Sequence, residues 1–347
     1  MNLKSKTISR IVLVSALSLA TVSSIFAQER EQRNISPDKE QVYVISAKAG
    51  GVSYATGSVR VDRISTKTRH VLAKGDEIND GDVISVGETG NAEVLLNPGS
   101  FLRLAENTEL QFTDTNLESL LLKMKSGSAL IEASAIGVNG ADIQIVTPQS
   151  TISLEKSGIY RVNVSGTQTE VLVWKGAATV GNQIVKAGRI AVLQKGSTVA
   201  VAKFDKDESR DGLDVWSKTR AKDLAKLNTK IKSRDLTRAF SGFSNGFYSS
   251  NRFGGYWAFN RLTGTYCYVP SGYDYWSSPY GYSYGNGVYW GYGSYNSTPV
   301  VRTIYPNKID DLGMPGRKQD TTVYIPSQPV YTPPTSPSLG APGKRGN

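Results

Sequence analysis

Asp80-Gly-Asp-Val-Ile-Ser-Val-Gly87, Ala92-Glu-Val-Leu-Leu96, Asn97-Pro-Gly-Ser100 and Phe101-Leu-Arg-Leu104 follow one another almost without interruption. Each apolar run is short and β-branched or alternating. Each gap holds Gly, Pro, Asn or Asp, residues that accept the dihedrals a tight turn imposes. That rhythm predicts strands of four to seven residues joined by turns. It extends outward in both directions. Upstream stand Val42-Tyr-Val-Ile45 and Gly51 to Val61. Downstream stand Glu109–Phe112, Ser119–Leu122, Ala129–Glu132, Ile143–Val146, Thr151–Leu154, Gly158–Val164, Thr169–Trp174, Ala177–Val180 and Arg189–Leu193. No helical period interrupts the series, so strands alternating with helices are not expected. The reading is all-β, a short-stranded sandwich or solenoid-like domain over residues 41–204.

A helix is expected next. Asp205 to Gly212 is a charged linker. Asp214 can cap a helix from Val215 to Ile231, with Trp216, Arg220, Leu224, Leu227 and Ile231 on one face. One amphipathic helix packed on the β domain accounts for residues 205–235. A helix lying on a membrane surface is the rival, weakened by a thin apolar stripe and by Asp214 and Asp223 among the lysines.

Composition then shifts. Residues 236–347 hold 15 of 18 tyrosines, 11 of 14 prolines and 3 of 5 tryptophans. Residues 236–298 form a Gly/Tyr/Trp-rich segment with few aliphatic residues, and a conventional packed core is not expected there. The segment could fold as a small aromatic-stabilised hairpin, stay a spacer, or contact a partner. Aromatic rings stack on sugars and fill protein interfaces. The candidate contact residues are Tyr256, Trp257, Tyr273, Tyr275, Trp276, Tyr289 and Trp290. Residues 299–347 are Pro-rich and polar, and are expected to be a disordered tail.

At the other end, Lys4, Lys6 and Arg10 precede an uncharged stretch from Ile11 to Ala20 and a small-residue approach to Ala27. This pattern predicts a signal peptide over residues 1–27, cleaved between Ala27 and Gln28, with residues 28–40 as a linker. The apolar stretch is short of the roughly 20 residues a membrane span requires. Export to the periplasm or beyond follows, with no transmembrane segment in the mature chain.

Charge and the scarce residue types narrow the function. The formal net charge is +10, but residues 28–235 carry only +2, so the domain has no electrostatic footprint for nucleic acid. His70 and Cys267 are the only His and Cys, which excludes a His/Cys metal cluster and an intrachain disulfide. His70 reads as a surface residue. Cys267 reads as a shielded thiol or an intermolecular link. The acidic run Asp76-Glu-Ile-Asn-Asp-Gly-Asp82 has Ile78 and Gly87 where a calcium loop needs ligands, so two consecutive turns fit better. Neither a Gly-x-Ser-x-Gly elbow nor a phosphate-cradling loop is present. No cofactor is expected. A carboxylate-dependent enzyme remains the remotest reading.

The β segment resembles the FecR-domain family. The resemblance is carried by Gly75-Asp76, Asp80–Gly87, Gly90–Leu96, Gly99–Leu104, Asn107-Thr-Glu-Leu110, Met124-Lys-Ser-Gly127, Val146-Thr-Pro148 and Gly158–Val162. A Val171–Val180 hairpin through Lys175-Gly176 and Val185-Lys-Ala-Gly188 complete it. Lys156-Ser-Gly158 departs from the Gly-Thr usual before that aromatic strand. The resemblance implies an extracytoplasmic, non-catalytic β domain. Its best-known members relay a signal from an outer-membrane receptor to a sigma factor, through a cytoplasmic helical region and a membrane span. A signal-like segment stands there in this sequence, so the sigma-factor role is not carried over. The resulting expectation is an exported envelope protein acting as an interaction or scaffold module, its partner an envelope protein or a cell-wall glycan. A carbohydrate- or peptidoglycan-binding protein using the aromatic segment is the alternative.

Overall fold

The computed structural model describes residues 42–137, 140–241, 253–270, 277–284, 288–291 and 300–303, all in the first of two units, residues 1–304. In chain order the strands are β1 (Tyr43–Ser46), β2 (Val52–Thr56), β3 (Val59–Arg63), β4 (Thr68–Val71), β5 (Val83–Val86), β6 (Asn91–Leu95), β7 (Phe101–Leu104) and β8 (Thr108–Asp114). They continue as β9 (Leu120–Ala133), β10 (Ile143–Val146), β11 (Thr151–Leu154), β12 (Gly158–Val164), β13 (Gln168–Lys175), β14 (Ala177–Val180), β15 (Gln183–Lys186), β16 (Arg189–Gln194) and β17 (Ala200–Lys203). Helices α1 (Gly212–Asn228) and α2 (Ser233–Ser241) follow, then β18 (Gly255–Asn260), β19 (Thr265–Pro270), β20 (Val288–Gly291) and β21 (Val300–Thr303). The all-β class read from the turn rhythm is the observed one. Two helices are described where one was expected, and no described helix is long and apolar enough to cross a membrane.

Two sheets form the body, and β9 belongs to both. Its first half pairs with β8 and, in parallel, with β10, in the order β4-β3-β5-β8-β9-β10-β11-β14-β15. Its second half pairs with β7 and β12, in the order β2-β6-β7-β9-β12-β13-β16-β17. The sequence suggested two strands here, 119–122 and 129–132. Gly127 joins them into one 14-residue strand that changes sheets. Its φ is +93°, and a Cβ there would stand 2.4 Å from the Thr108 Cα, so only glycine permits the bend.

Alternate residues of the two sheets face each other and form the main core: Val61, Ile84, Phe112, Leu122, Ile145 and Ile152 from one, Val94, Leu102, Ile131, Tyr160, Val162 and Val171 from the other. Burying one such aliphatic side chain contributes roughly 1.5–3 kcal/mol, which is why a period of two in sequence becomes a sandwich. The anticipated Val171–Val180 hairpin does not form. β13 pairs with β12 and β16, whereas β14 pairs with β11 and β15. At Gly176, with φ +95°, the chain crosses between the sheets instead of reversing within one.

β1 also departs from expectation. It pairs with β18, and β18 with β19, as a separate three-stranded sheet. This sheet and α2 enclose a core of their own, with Tyr43, Ile45, Ile231, Leu236, Phe240, Tyr256, Cys267 and Val269. Residues 255–270 of the aromatic segment are therefore packed structure, correcting the expectation of no conventional core. Few aliphatics are needed because the rings supply the area: Trp257 packs against Phe101 at 5.2 Å and Tyr268 against Tyr284 at 5.2 Å between centroids.

Candidate functional site

Residues 93, 103, 132 and 161 point away from the main core, onto the outer face of the second sheet. Alternation puts them there: Ala92, Val94, Leu102, Leu104, Ile131, Tyr160 and Val162 point inward, so Glu93, Arg103, Glu132 and Arg161 point outward. On an ordinary sandwich that face meets water. Here it is covered by α1 and by the aromatic residues beyond α2.

Arg103 lies at the centre, with no exposed side-chain surface. Its Nε donates to Glu93 Oε2 at 2.8 Å, and its Nη1 donates to Glu132 Oε2 at 2.8 Å and to Ser217 Oγ of α1 at 2.7 Å. Arg220 of α1 closes the other side, Nη2 donating to Glu93 Oε1 at 2.7 Å. Two guanidinium groups thus face two carboxylates. Ser217 and Tyr280 share a hydroxyl–hydroxyl bond of 2.8 Å, and the Tyr284 hydroxyl donates to Glu132 Oε1 at 3.5 Å. Arg103 Nη2 has no hydrogen-bond partner among the described residues.

A second cluster holds the start of α1. Asp211 caps the helix, its side chain accepting from the Leu213 and Asp214 amides, and Asp214 answers by accepting from the Asp211 amide. The cap therefore sits three residues before the expected Asp214, and the helix begins at Gly212. Arg161 of β12 reaches both acids: Nη2 to Asp211 Oδ2 at 2.7 Å and Nη1 to Asp214 Oδ2 at 3.1 Å. The buried face of α1 is Leu213, Asp214, Ser217, Ala221, Leu224, Ala225 and Asn228. The anticipated stripe also faces the domain: Leu224 and Ile231 are buried, and Trp216, Arg220 and Leu227 are half-buried against Tyr54, Glu93 and the aromatic core.

Protonation follows the partners. Burial opposes ionisation of Glu93, but Arg103 and Arg220 outweigh it and hold the carboxyl below its ordinary range. Burial pushes Glu132 up, against the single guanidinium of Arg103. The Arg161 hydrogen bonds hold Asp211 low, whereas burial pushes Asp214 up to about 6. The pairs neutralise one another, and the acids are engaged by guanidinium and hydroxyl groups rather than by a nucleophile. The arrangement is a charged packing interface.

The sequence-chosen residues fall elsewhere. Tyr256 and Trp257 are buried, and the Trp257 indole donates to the Leu96 carbonyl at 3.1 Å, so neither ring offers a free face to a sugar or a protein. Those two assignments are corrected to core residues. Tyr289 and Trp290 lie on β20, opposite Arg302 and Val301 of β21. Tyr273, Tyr275, Trp276, Ala27 and Gln28, with the signal, linker and most of the tail, lie outside the described residues. His70 lies on β4, exposed along its length. Cys267 is buried, and burial pushes its thiol up to about 12. In the acidic run, Asp76 accepts from the Ala73 amide and Asp82 from the Asn79 amide, which are turn contacts, while Asp82 also pairs with Arg63 at 2.6 Å and Asp80 accepts from the Thr115 amide of a distant segment.

Arg103, Glu93, Glu132, Arg161 and Asp211 went unmarked in the sequence. Alternation makes the four strand residues look solvated, and no local pattern announces that a helix beginning 80 residues after Glu132 covers them.

No curated protein matches this chain. Solved structures similar to it include two described as "a putative anti-sigma factor from Parabacteroides distasonis". One is 17% identical, covering 35% of this chain and 60% of that one, with a TM-score of 0.32. The other is 15% identical, covering 46% of this chain and 74% of that one, with a TM-score of 0.32. The family model described as "FecR protein" matches residues 82–179, the stretch that runs from the start of β5 into β14 and contains Glu93, Arg103, Glu132 and Arg161. Over those residues the chain carries a FecR domain.

Proposed function

We propose that this chain is an exported, non-catalytic module of the bacterial envelope, in which the FecR domain serves signalling or regulation by binding another protein. The observation that carries the reading is the FecR match over residues 82–179. The signal pattern ending at Ala27 supports export. The use of the buried acids in ion pairs and turns, rather than in a cleft beside a nucleophile, supports binding over catalysis.

The test combines fractionation with cross-linking. The mature protein should begin at Gln28 and fractionate with periplasm, envelope or medium. Cross-linking in intact envelopes should give a discrete protein adduct. A mature chain that keeps Met1 in the cytoplasm, or an envelope with no protein adduct, would count against the proposal.

A further inference from the structure

The charged outer face lies within the FecR match, and what covers it lies outside. Glu93, Arg103, Glu132 and Arg161 belong to residues 82–179, whereas α1 begins at Gly212. α1 is attached in an unusual way. A helix seated permanently on a sheet usually buries a broad apolar stripe. The buried face of α1 contains only two large apolar residues, Leu213 and Leu224. Trp216 packs on Tyr54 and Leu227 on the aromatic core, both half-buried, and the rest of the attachment is polar: Asp211 and Asp214 to Arg161, Ser217 to Arg103, Arg220 to Glu93, and Asn228 Nδ2 to the Tyr268 carbonyl.

Exposed residues flank α1 on both sides. Five of the six residues from Asp205 to Arg210 are exposed. On the other side Thr229 and Lys230 are exposed, and Ile231 enters the separate core formed by β1, β18, β19 and α2. A charged face also returns to water at lower cost than an apolar one, because hydration recovers much of the solvation lost on burial. Phe101, the large ring on this face, remains covered by Trp257 from the hairpin.

We propose that the outer face of the FecR domain is a helix-docking surface whose resident occupant is α1, and that a partner helix with the same charge order takes its place. That order is acid, acid, hydroxyl, arginine at intervals of three, as in Asp211, Asp214, Ser217 and Arg220. Arg161 receives the two acids, and Arg103 with Glu93 receives the hydroxyl and the guanidinium. The inference rests on the interaction-module reading and specifies the partner's chemistry.

The test uses the full mature chain and a synthetic peptide of residues 209–230. Hydrogen exchange comes first. Amides of α1 should exchange through a local opening, at least about tenfold faster than those of β9 and β12 and faster still in high salt. Peptide binding comes second. The peptide should bind a D211N/D214N chain at least about tenfold more tightly than the wild-type chain, whose tethered helix competes at high effective concentration. A peptide carrying the same two substitutions should bind that chain about tenfold more weakly, because it lacks the Asp211 carboxylate that Arg161 grips through both guanidinium nitrogens. Exchange of α1 only together with the strands, or equal binding of the two peptides, would overturn the proposal. If D211N/D214N does not fold, exchange of the wild-type chain decides the matter alone. These measurements involve no envelope component, so their failure is separable from failure of the envelope cross-linking.

Discussion

Arg103 Nη1 lies 2.8 Å from Glu132 Oε2, and both side chains are wholly buried between a β-sheet and a helix that belong to different parts of the sequence. The pair is one side of a four-charge group with Glu93 and Arg220. Taking ions out of water is costly, and the cost is met only while each keeps its partner. The group therefore specifies how α1 sits more than it adds net stability.

Unequal losses should follow from removing single members. Arg103→Ala leaves Glu93 and Glu132 facing each other without their shared guanidinium, and should cost about 3–5 kcal/mol in chemical denaturation. Glu93→Gln should cost more than Glu132→Gln, because Glu93 is held ionised by two guanidinium groups while burial already pushes Glu132 toward its neutral form. Equal losses for the two glutamines would show that they do not differ in charge state.

Gly127→Ala should destabilise by at least about 2 kcal/mol, a large effect for one methyl group. The added Cβ would meet backbone, the Thr108 Cα at 2.4 Å, and φ is +93°. A neighbouring strand cannot rotate away as a side chain could. A thermal melt within a degree or two of wild type would mean that β9 changes sheets by another route.

The sandwich was legible because its cause is local. In Ala92-Glu-Val-Leu or Leu102-Arg-Leu104 alternation separates the inward side from the outward side, and glycine marks the turns. What covers the outward side is not a local property. Glu93 is fully buried and paired with Arg220, 127 positions away, and nothing around Glu93 encodes that. Trp257 looked like a contact residue because its neighbours are Gly and Tyr, yet its ring fills a gap beside Phe101. The Lys175-Gly176 turn was visible, but not that it changes sheets, since a glycine with positive φ serves either purpose.

Cys267 should resist thiol reagents in the native protein. Burial among Tyr43, Phe240 and Tyr256 pushes its thiol up to about 12, so little thiolate exists near neutral pH. Modification at mildly alkaline pH should be slow in buffer and fast in denaturant. Fast native labelling would show that the three-stranded sheet opens readily.

Acidity should tighten the seat of α1 before loosening it. Asp214 is pushed up to about 6 by burial, from an ordinary 3.8. Between those values the folded chain binds a proton that the unfolded chain does not. Stability therefore rises as pH falls from about 6 toward 4, and that gain is lost as pH rises through 6. Glu132, also raised, acts in the same sense. Asp211 and Glu93, held low by guanidinium groups, act oppositely: their contribution is present above their ordinary values and is lost as pH falls below them. The wild-type chain should thus be most stable near pH 4 to 5 as far as this interface is concerned. Asp214→Asn should abolish its part of the rise between about pH 6 and 4 while leaving the loss at lower pH. Denaturation midpoints of both chains across that range provide the measurement. Parallel curves would mean that Asp214 titrates alike in the folded and unfolded chains.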